Sequence, residues 1–237
     1  MLNVENMSSG YGKLQILDDI SVSAEQGKVT VIVGPNGSGK STLLKSVAGL
    51  ATIYSGSVTL DGNLLSGLRP HEIARRGLAY LPQTESSFTQ LRVSENFRMA
   101  GYTVGKSDYP TRLKEALAMF PQIEGYIDKK VSQLSGGERQ MVAMIMALIR
   151  QPKVIMFDEP TANLAPKVAT LVLETIHSLA TDLGLTVILV EQNARRALEM
   201  GDRAYLLISG RKAFEGGGKE LLEHKELGRL YLGLKAA

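Results

Sequence analysis

The sequence predicts an α/β protein in which helices pack on a parallel sheet, and three observations predict it. Short apolar, β-branched runs at 29–33, 154–157 and 186–190 have the composition of strands buried on both faces. A helical pattern follows each of them, at 40–48, 167–183 and 193–200, which is the alternation of strand–helix–strand units. Between the first and second of these units, residues 85–131 carry helical spacing broken by Gly105, Pro110, Pro121 and Gly125, which reads as a helical insert in the main lobe.

Each element has its own signals. Residues 14–23 form a candidate strand, and Gly27 turns the chain into 29–33. The helix at 40–48 is closed by Gly49. Residues 57–60 followed by Asp61-Gly62 read as a strand and a tight turn, and 78–81 as a short strand stopped by Pro82. In the insert, helical spacing runs over 93–101 and 111–120. A further apolar helix begins at Ser135. The helix at 167–183 ends at Gly184. Residues 204–208 and 211–215 form a hairpin across Ser209-Gly210, and a helix ending near Leu222 and a tail to Ala237 follow.

Composition narrows the function. Apolar residues are 44% and charged residues 22% of 237, ordinary for a globular protein with a buried core. The net charge of +3 is small, basic residues occur only in short pairs such as Arg75-Arg76 and Arg195-Arg196, and aromatics are 5% and not interleaved with them, so no nucleic-acid partner is expected. With no cysteine, disulfides, zinc–thiolate sites and thiol nucleophiles are excluded. The N-terminus lacks the basic start and apolar stretch of a signal peptide. The longest apolar run, 141–149, falls well short of the about 20 residues that cross a bilayer, so a membrane role is expected to come through a partner.

The chemistry starts at the end of the 29–33 strand. Gly34-Pro35-Asn36-Gly37-Ser38-Gly39-Lys40-Ser41 meets every fixed position of the phosphate-loop pattern, between an apolar strand and a helix. Glycine lets the backbone curl and aim consecutive N–H groups inward. Those donors and the positive end of the helix make an anion nest. Lys40 adds a charge near the outer phosphates, and Ser41 a hydroxyl for Mg²⁺. The motif alone does not separate transporters from kinases, small GTPases or recombinases. Asp158 and Glu159 follow the apolar strand 154–157; the first can hold magnesium, and the second can orient and polarise an attacking water. Leu134-Ser135-Gly136-Gly137-Glu138-Arg139-Gln140 opens the apolar helix, with Ser135 as N-cap and two glycines exposing backbone N–H groups.

Together, in this order and spacing, the three motifs resemble the ATP-binding cassette (ABC) family from about Leu2 to Leu234. The resemblance implies a P-loop NTPase fold of the ABC type: a mixed-sheet core, an antiparallel β subdomain and a helical subdomain insert. It implies one domain over 1–237, with the core lobe in 1–84 and 132–237 and the insert in 85–131. Tyr11 matches the aromatic that stacks on adenine. Gln83 matches the glutamine that reaches magnesium and senses the membrane partner. Thr42 completes the nucleotide-binding loop. In that family two ATP molecules are sandwiched in a head-to-tail dimer, so Ser135, Gly136 and Gly137 would face the γ-phosphate bound by the loop Gly34 to Thr42 of a second subunit, the same chain or a similar one. The resemblance implies ATP and Mg²⁺ as cofactors, membrane permeases as partners, an indirect link to a substrate-binding protein, and a peripheral place on the cytoplasmic face of the cell membrane.

The chain departs from the family pattern at several positions. Val190 is followed by Glu191-Gln192-Asn193, where the family usually has histidine at position 192; His71, His177 and His224 lie elsewhere. Gln192 can donate a hydrogen bond to a γ-phosphate but cannot carry a proton or positive charge. Ala165 stands where aspartate is usual, and Met146 where the helix after Ser135 often has arginine. Glu-Gln-Asn after the strand, Leu164-Ala165-Pro166 after the acidic turn and Tyr231-Leu232-Gly233-Leu234 near the end resemble the ATPases of branched-chain amino acid importers, a signature largely shared by urea and short-amide importers. That branch often has glutamate near position 83, where this chain keeps Gln83. Glu159 is then the expected base, and Gln192 only positions the γ-phosphate. Two other classes stay open: a non-transport ATP switch of related fold, and a cassette that binds ATP without hydrolysing it.

Overall fold

A computed structural model describes residues 1–84, 86–192 and 194–224. Two sheets share the fold. The larger is six-stranded, in the order β10-β9-β3-β8-β7-β6, from β3 (Val29–Val33), β6 (Leu78–Leu81), β7 (Val154–Asp158), β8 (Thr186–Val190), β9 (Arg203–Ile208) and β10 (Arg211–Gly216). Its pairs are parallel except β9–β10, so the sheet is mixed. The smaller is antiparallel, in the order β2-β1-β4-β5, from β1 (Leu2–Tyr11), β2 (Leu14–Ala24), β4 (Thr52–Leu60) and β5 (Asn63–Leu64).

Strand periodicity divides the core in two. Side chains alternate across a sheet. Val29, Val31, Val33, Ile155, Phe157, Val187 and Leu189 therefore face one buried cluster, and Ile32, Val154, Met156, Ile188 and Val190 face the other. The first cluster is filled by α3 (Val93–Ala100), α5 (Gly136–Leu148), α6 (Pro166–Thr181) and α7 (Ala194–Met200). The second is filled by α1 (Lys40–Val47) and the inner face of the antiparallel sheet, through Leu2, Val4, Met7 and Leu17. Every residue of β3, β7 and β8 is buried, as expected of strands covered on both faces.

The expected elements are present with shifted ends. The strand 14–23 runs one residue longer, and 57–60 is the second half of β4, whose first half bends at Gly56 (φ +82°). The helix expected at 111–120 is α4 (Tyr109–Ala118) because Pro110 sits in its first turn, where a missing N–H costs nothing. Pro166 likewise opens α6. The turns Asp61-Gly62 and Ser209-Gly210 each place two consecutive residues at positive φ, as a tight hairpin requires. Among the described strands and α-helices, β1, β5 and α2 (Pro70–Arg75) were not expected. After β10 the chain forms α8 (Gly218–Glu223). The expected start of α7 at Asn193, the first residue of the insert, Glu85, and the tail from 225 lie outside the described residues.

Candidate functional site

The site grows from the C-terminal ends of β3, β7 and β8, where parallel strands deliver their following loops to one edge. After β3 the chain turns at Gly34 (φ +153°), where a Cβ would collide with the Leu207 carbonyl oxygen and the Ser38 hydroxyl. The loop then rises through exposed Pro35, Asn36 and Gly37 and returns to buried Ser38, Gly39 and Lys40. Gly39 (φ +101°) precedes α1, and Thr42 is buried in its first turn. The loop is anchored from behind by Gly210, whose N–H donates to the Ser38 carbonyl at 3.1 Å.

Lys40 is 5% exposed and folds back over the loop, donating from Nζ to the carbonyls of Gly34 (2.9 Å) and Pro35 (3.1 Å). Burial pushes its pKa down, partly opposed by Glu159 and Asp158. A desolvated ammonium at a glycine-rich loop that opens a helix is a receptor for anionic oxygen. The Ser38 Oγ is buried and has no hydrogen-bond partner among the described residues, a second polar group that an incoming phosphate oxygen would satisfy.

The carboxylates meet this loop directly. Asp158, buried at the end of β7, accepts from Ser41 Oγ (2.8 Å) on one oxygen and from the Tyr80 hydroxyl (2.9 Å) on the other. Glu159 is held in the left-handed region (φ +50°) by a bond from its N–H to the Val190 carbonyl (2.9 Å), and its side chain accepts from Gln83 Nε2 at 3.1 Å. Two pairs that lie far apart in sequence, Ser41 with Asp158 and Gln83 with Glu159, are thus brought into contact beside Lys40. Hydroxyl, carboxylate and amide oxygens are hard donors of the kind Mg²⁺ takes, so this set fits that ion.

Other expected residues are placed but not joined to this cluster by any hydrogen bond among the described residues. Tyr11 ends β1 with 43% of its surface exposed, two residues beyond Ser9, whose hydroxyl accepts from Ser46 of α1 at 2.8 Å. Gln192 is exposed just after β8. Ser135 caps α5 in a reciprocal box: the Glu138 carboxylate accepts from its N–H at 2.7 Å, and its hydroxyl accepts from the Glu138 N–H at 3.4 Å. A Cβ on Gly136 would press on Leu164, and one on Gly137 would collide with Val168. The helix start therefore leans on the segment that follows Glu159.

Sequence reasoning missed three residues of this site. Tyr80 is opposite Met156 in the β6–β7 register, hence on the same sheet face as Asp158, and that pairing is the signal that would have found it. Thr161 and Glu191 form a contact between two loops, with both donors of Thr161 on one Glu191 carboxylate oxygen (3.1 and 2.8 Å).

Comparison with known proteins agrees with this fold. The family model described as ABC transporter matches residues 17–162. A probable branched-chain amino acid transport ATP-binding protein of Archaeoglobus fulgidus is 49% identical over 234 residues, covering 99% of each chain. A high-affinity branched-chain amino acid transport ATP-binding protein of Pseudomonas aeruginosa is 39% identical, covering 98% of this chain and 100% of its own. A solved dimeric ATP-binding cassette in a post-hydrolysis state, bound to ADP and phosphate, superposes with a TM-score of 0.78 at 26% identity over 92% of this chain and 98% of its own. With a phosphate loop, an acidic strand end and a glycine-opened helix on this fold, the chain belongs to the ABC transporter family and is one of its ATP-hydrolysing cassettes.

Proposed function

We propose that this cassette energises an importer of branched-chain or other hydrophobic amino acids, acting on MgATP at the cytoplasmic face of the cell membrane. The junction of Ser41–Asp158 with Gln83–Glu159 beside Lys40 carries the chemical part of the reading. Gly34 to Thr42 bind the phosphates, with Lys40 charge-pairing the outer ones, and Tyr11 stacks on the base. Ser41, Asp158 and Gln83 would hold Mg²⁺, which supplies charge neutralisation at the phosphate oxygens. Glu159 accepts the proton of the attacking water as the water oxygen bonds the γ-phosphorus and the bond to the β-phosphate oxygen breaks. Gln192 donates to the γ-phosphate, and Ser135, Gly136 and Gly137 do so from a second cassette, self or similar, arranged head to tail.

The substrate reading rests on the two amino-acid transport relatives. The chain functions as one domain over 1–237, with 85–131 as insert in the core lobe of 1–84 and 132–237. No helix among the described residues is long and apolar enough to cross a membrane, so permease subunits supply the membrane path, with a substrate-binding protein acting on them. An apolar groove of about 330 Å³ supports the permease contact: Leu81, Pro82, Ser86, Ala100, Ala143 and Met146 line it, and Pro82 adjoins Gln83. A partner seated there would press on the loop that reaches Glu159.

Purification from native membranes tests the assembly, and turnover tests the chemistry. Amino-acid permeases are expected with the cassette; urea-type permeases, or no membrane protein, would replace the substrate or transport reading respectively. Glu159→Gln is expected to bind ATP normally and to lose at least about 10²-fold in kcat, the contribution of a positioned general base. Wild-type turnover in that variant would remove Glu159 from its role.

A further inference from the structure

Glu191 is a carboxylate for which the chemistry above has no use. It follows β8, it is 2% exposed, and its own N–H donates to the Ile32 carbonyl at 3.4 Å, beside the root of the phosphate loop. Burial pushes its carboxyl up, the Thr161 hydroxyl and N–H oppose that, and the charge of Glu159 adds to it. Burying a carboxylate close to a second carboxylate is costly, and small uncharged side chains could fill the space. What offsets the cost is mainly Thr161, which gives Glu191 Oε1 both its N–H (3.1 Å) and its hydroxyl (2.8 Å), with a further hydrogen bond from the Gln192 backbone N–H.

Thr161 occupies the middle of a short, internally bonded loop. The Ala162 N–H donates to the Glu159 carbonyl at 3.1 Å and the Leu164 N–H to the Thr161 carbonyl at 3.2 Å, with Glu159 and Asn163 both at positive φ. The loop begins at Glu159 and ends at Leu164, which packs against Gly136. On its other side Glu191 is bonded in sequence to Gln192.

We propose that Glu191 is a positioning residue for ATP hydrolysis: its buried carboxylate pins Thr161, and with it the loop running from Glu159 to Leu164, to the turn that presents Gln192. This rests on the reading of Glu159 as base. A displacement of Gln192 toward a bound γ-phosphate is handed through one side chain to the loop that aims the base, and onward to the helix start that faces the second cassette. Nucleotide affinity is left to the phosphate loop and Tyr11, which Glu191 does not touch.

The test is steady-state turnover of the cassette with its permeases. In E191A, kcat is expected to fall by on the order of ten- to a hundredfold, as for a misplaced catalytic group, while KM for ATP moves by less than about threefold. E191Q keeps an oxygen that can accept from Thr161 and is expected to retain kcat within about threefold of wild type. A general loss of folding would move KM, kcat and Tm together and would not be rescued by glutamine. The proposal is overturned by a kcat in E191A within about twofold of wild type, or by equal losses in E191A and E191Q. Should E191A fail to fold, T161V removes one of the two bonds at nearly constant shape: a kcat loss with unchanged KM supports the peg, and an unchanged kcat overturns it. Glu159→Gln run in parallel separates the two readings. Turnover that survives there condemns the base itself; its loss there, with normal kcat in E191A, rejects only the role of Glu191.

Discussion

At position 192 the chain has a glutamine where the proposed mechanism needs a donor to the γ-phosphate, and an amide does not titrate. His71 lies on α2 and His177 on α6, neither of which carries a residue of this site. Turnover is expected to show no inflection from such a group near the usual imidazole pKa of about 6.5. Gln192→His should introduce one, with activity changing as the new ring gains its proton below that pH. An identical inflection in both proteins, measured as kcat against pH, would show that some other group governs the profile. The residues of this site divide by how they can be read. Gly34 to Ser41, Asp158 with Glu159, and Ser135 to Gly137 are written as local spacings, because a curled loop, a strand end and a helix start each need their residues in a row. Tyr80, Thr161 and Glu191 are recruited by strand register and loop closure, and nothing in their immediate neighbours encodes that meeting.

Among the elements, the turn between β4 and β5 ties the two sheets together at the surface. Asp61 accepts from the Met1 ammonium at 2.7 Å, where β1 starts, and from Lys153 Nζ at 2.8 Å, just before β7. The Lys153 hydrogen bond, then that from the N-terminus, lowers its carboxyl pKa from 3.8 to about 2. A carboxyl held below its unfolded value contributes stability above that value and loses it as the pH falls through the folded one. The contribution is therefore complete above about pH 4 and gone near pH 2, and solvent screening keeps it small. Asp61→Asn is a clean probe, since asparagine tolerates the left-handed backbone at this turn (φ +49°). The Tm deficit of Asp61→Asn relative to wild type should be present at pH 5 and vanish near pH 2; an equal deficit at both would deny the ion pairs any part. The same region shows where element reading stopped. The buried strands 29–33, 154–157 and 186–190 were legible because both faces are apolar. Strand β1 was not, because its polar Asn3, Asn6 and Ser9 and its register shifts between Val4 and Gly10 break the alternation, and its pairing with β2 and β4 is settled only by tertiary contact.

For the whole molecule, the proposed head-to-tail pairing would make one chain carry two halves of different sites. Its phosphate loop is built with Lys40, Ser41, Asp158 and Glu159, whereas the start of α5 rests on Leu164 and Val168 with no hydrogen bond to that loop among the described residues. Helix N-termini attract phosphate, so in such a pair the loop of one chain and the α5 start of the other would favour the same γ-phosphate from opposite sides. If two chains must meet around ATP, assembly follows mass action, and binding energy appears as dimer only while the γ-phosphate is intact. Turnover per chain of the isolated cassette should then rise with chain concentration where monomers dominate, and level off where dimers do. Glu159→Gln, which keeps ATP uncleaved, should sediment as a dimer with MgATP and as a monomer with ADP. A turnover per chain independent of concentration, together with a variant that stays monomeric in MgATP, would mean that one chain completes its own site. Ser135, Gly136 and Gly137 would then need another explanation, and their packing against Leu164 and Val168 would be their whole role.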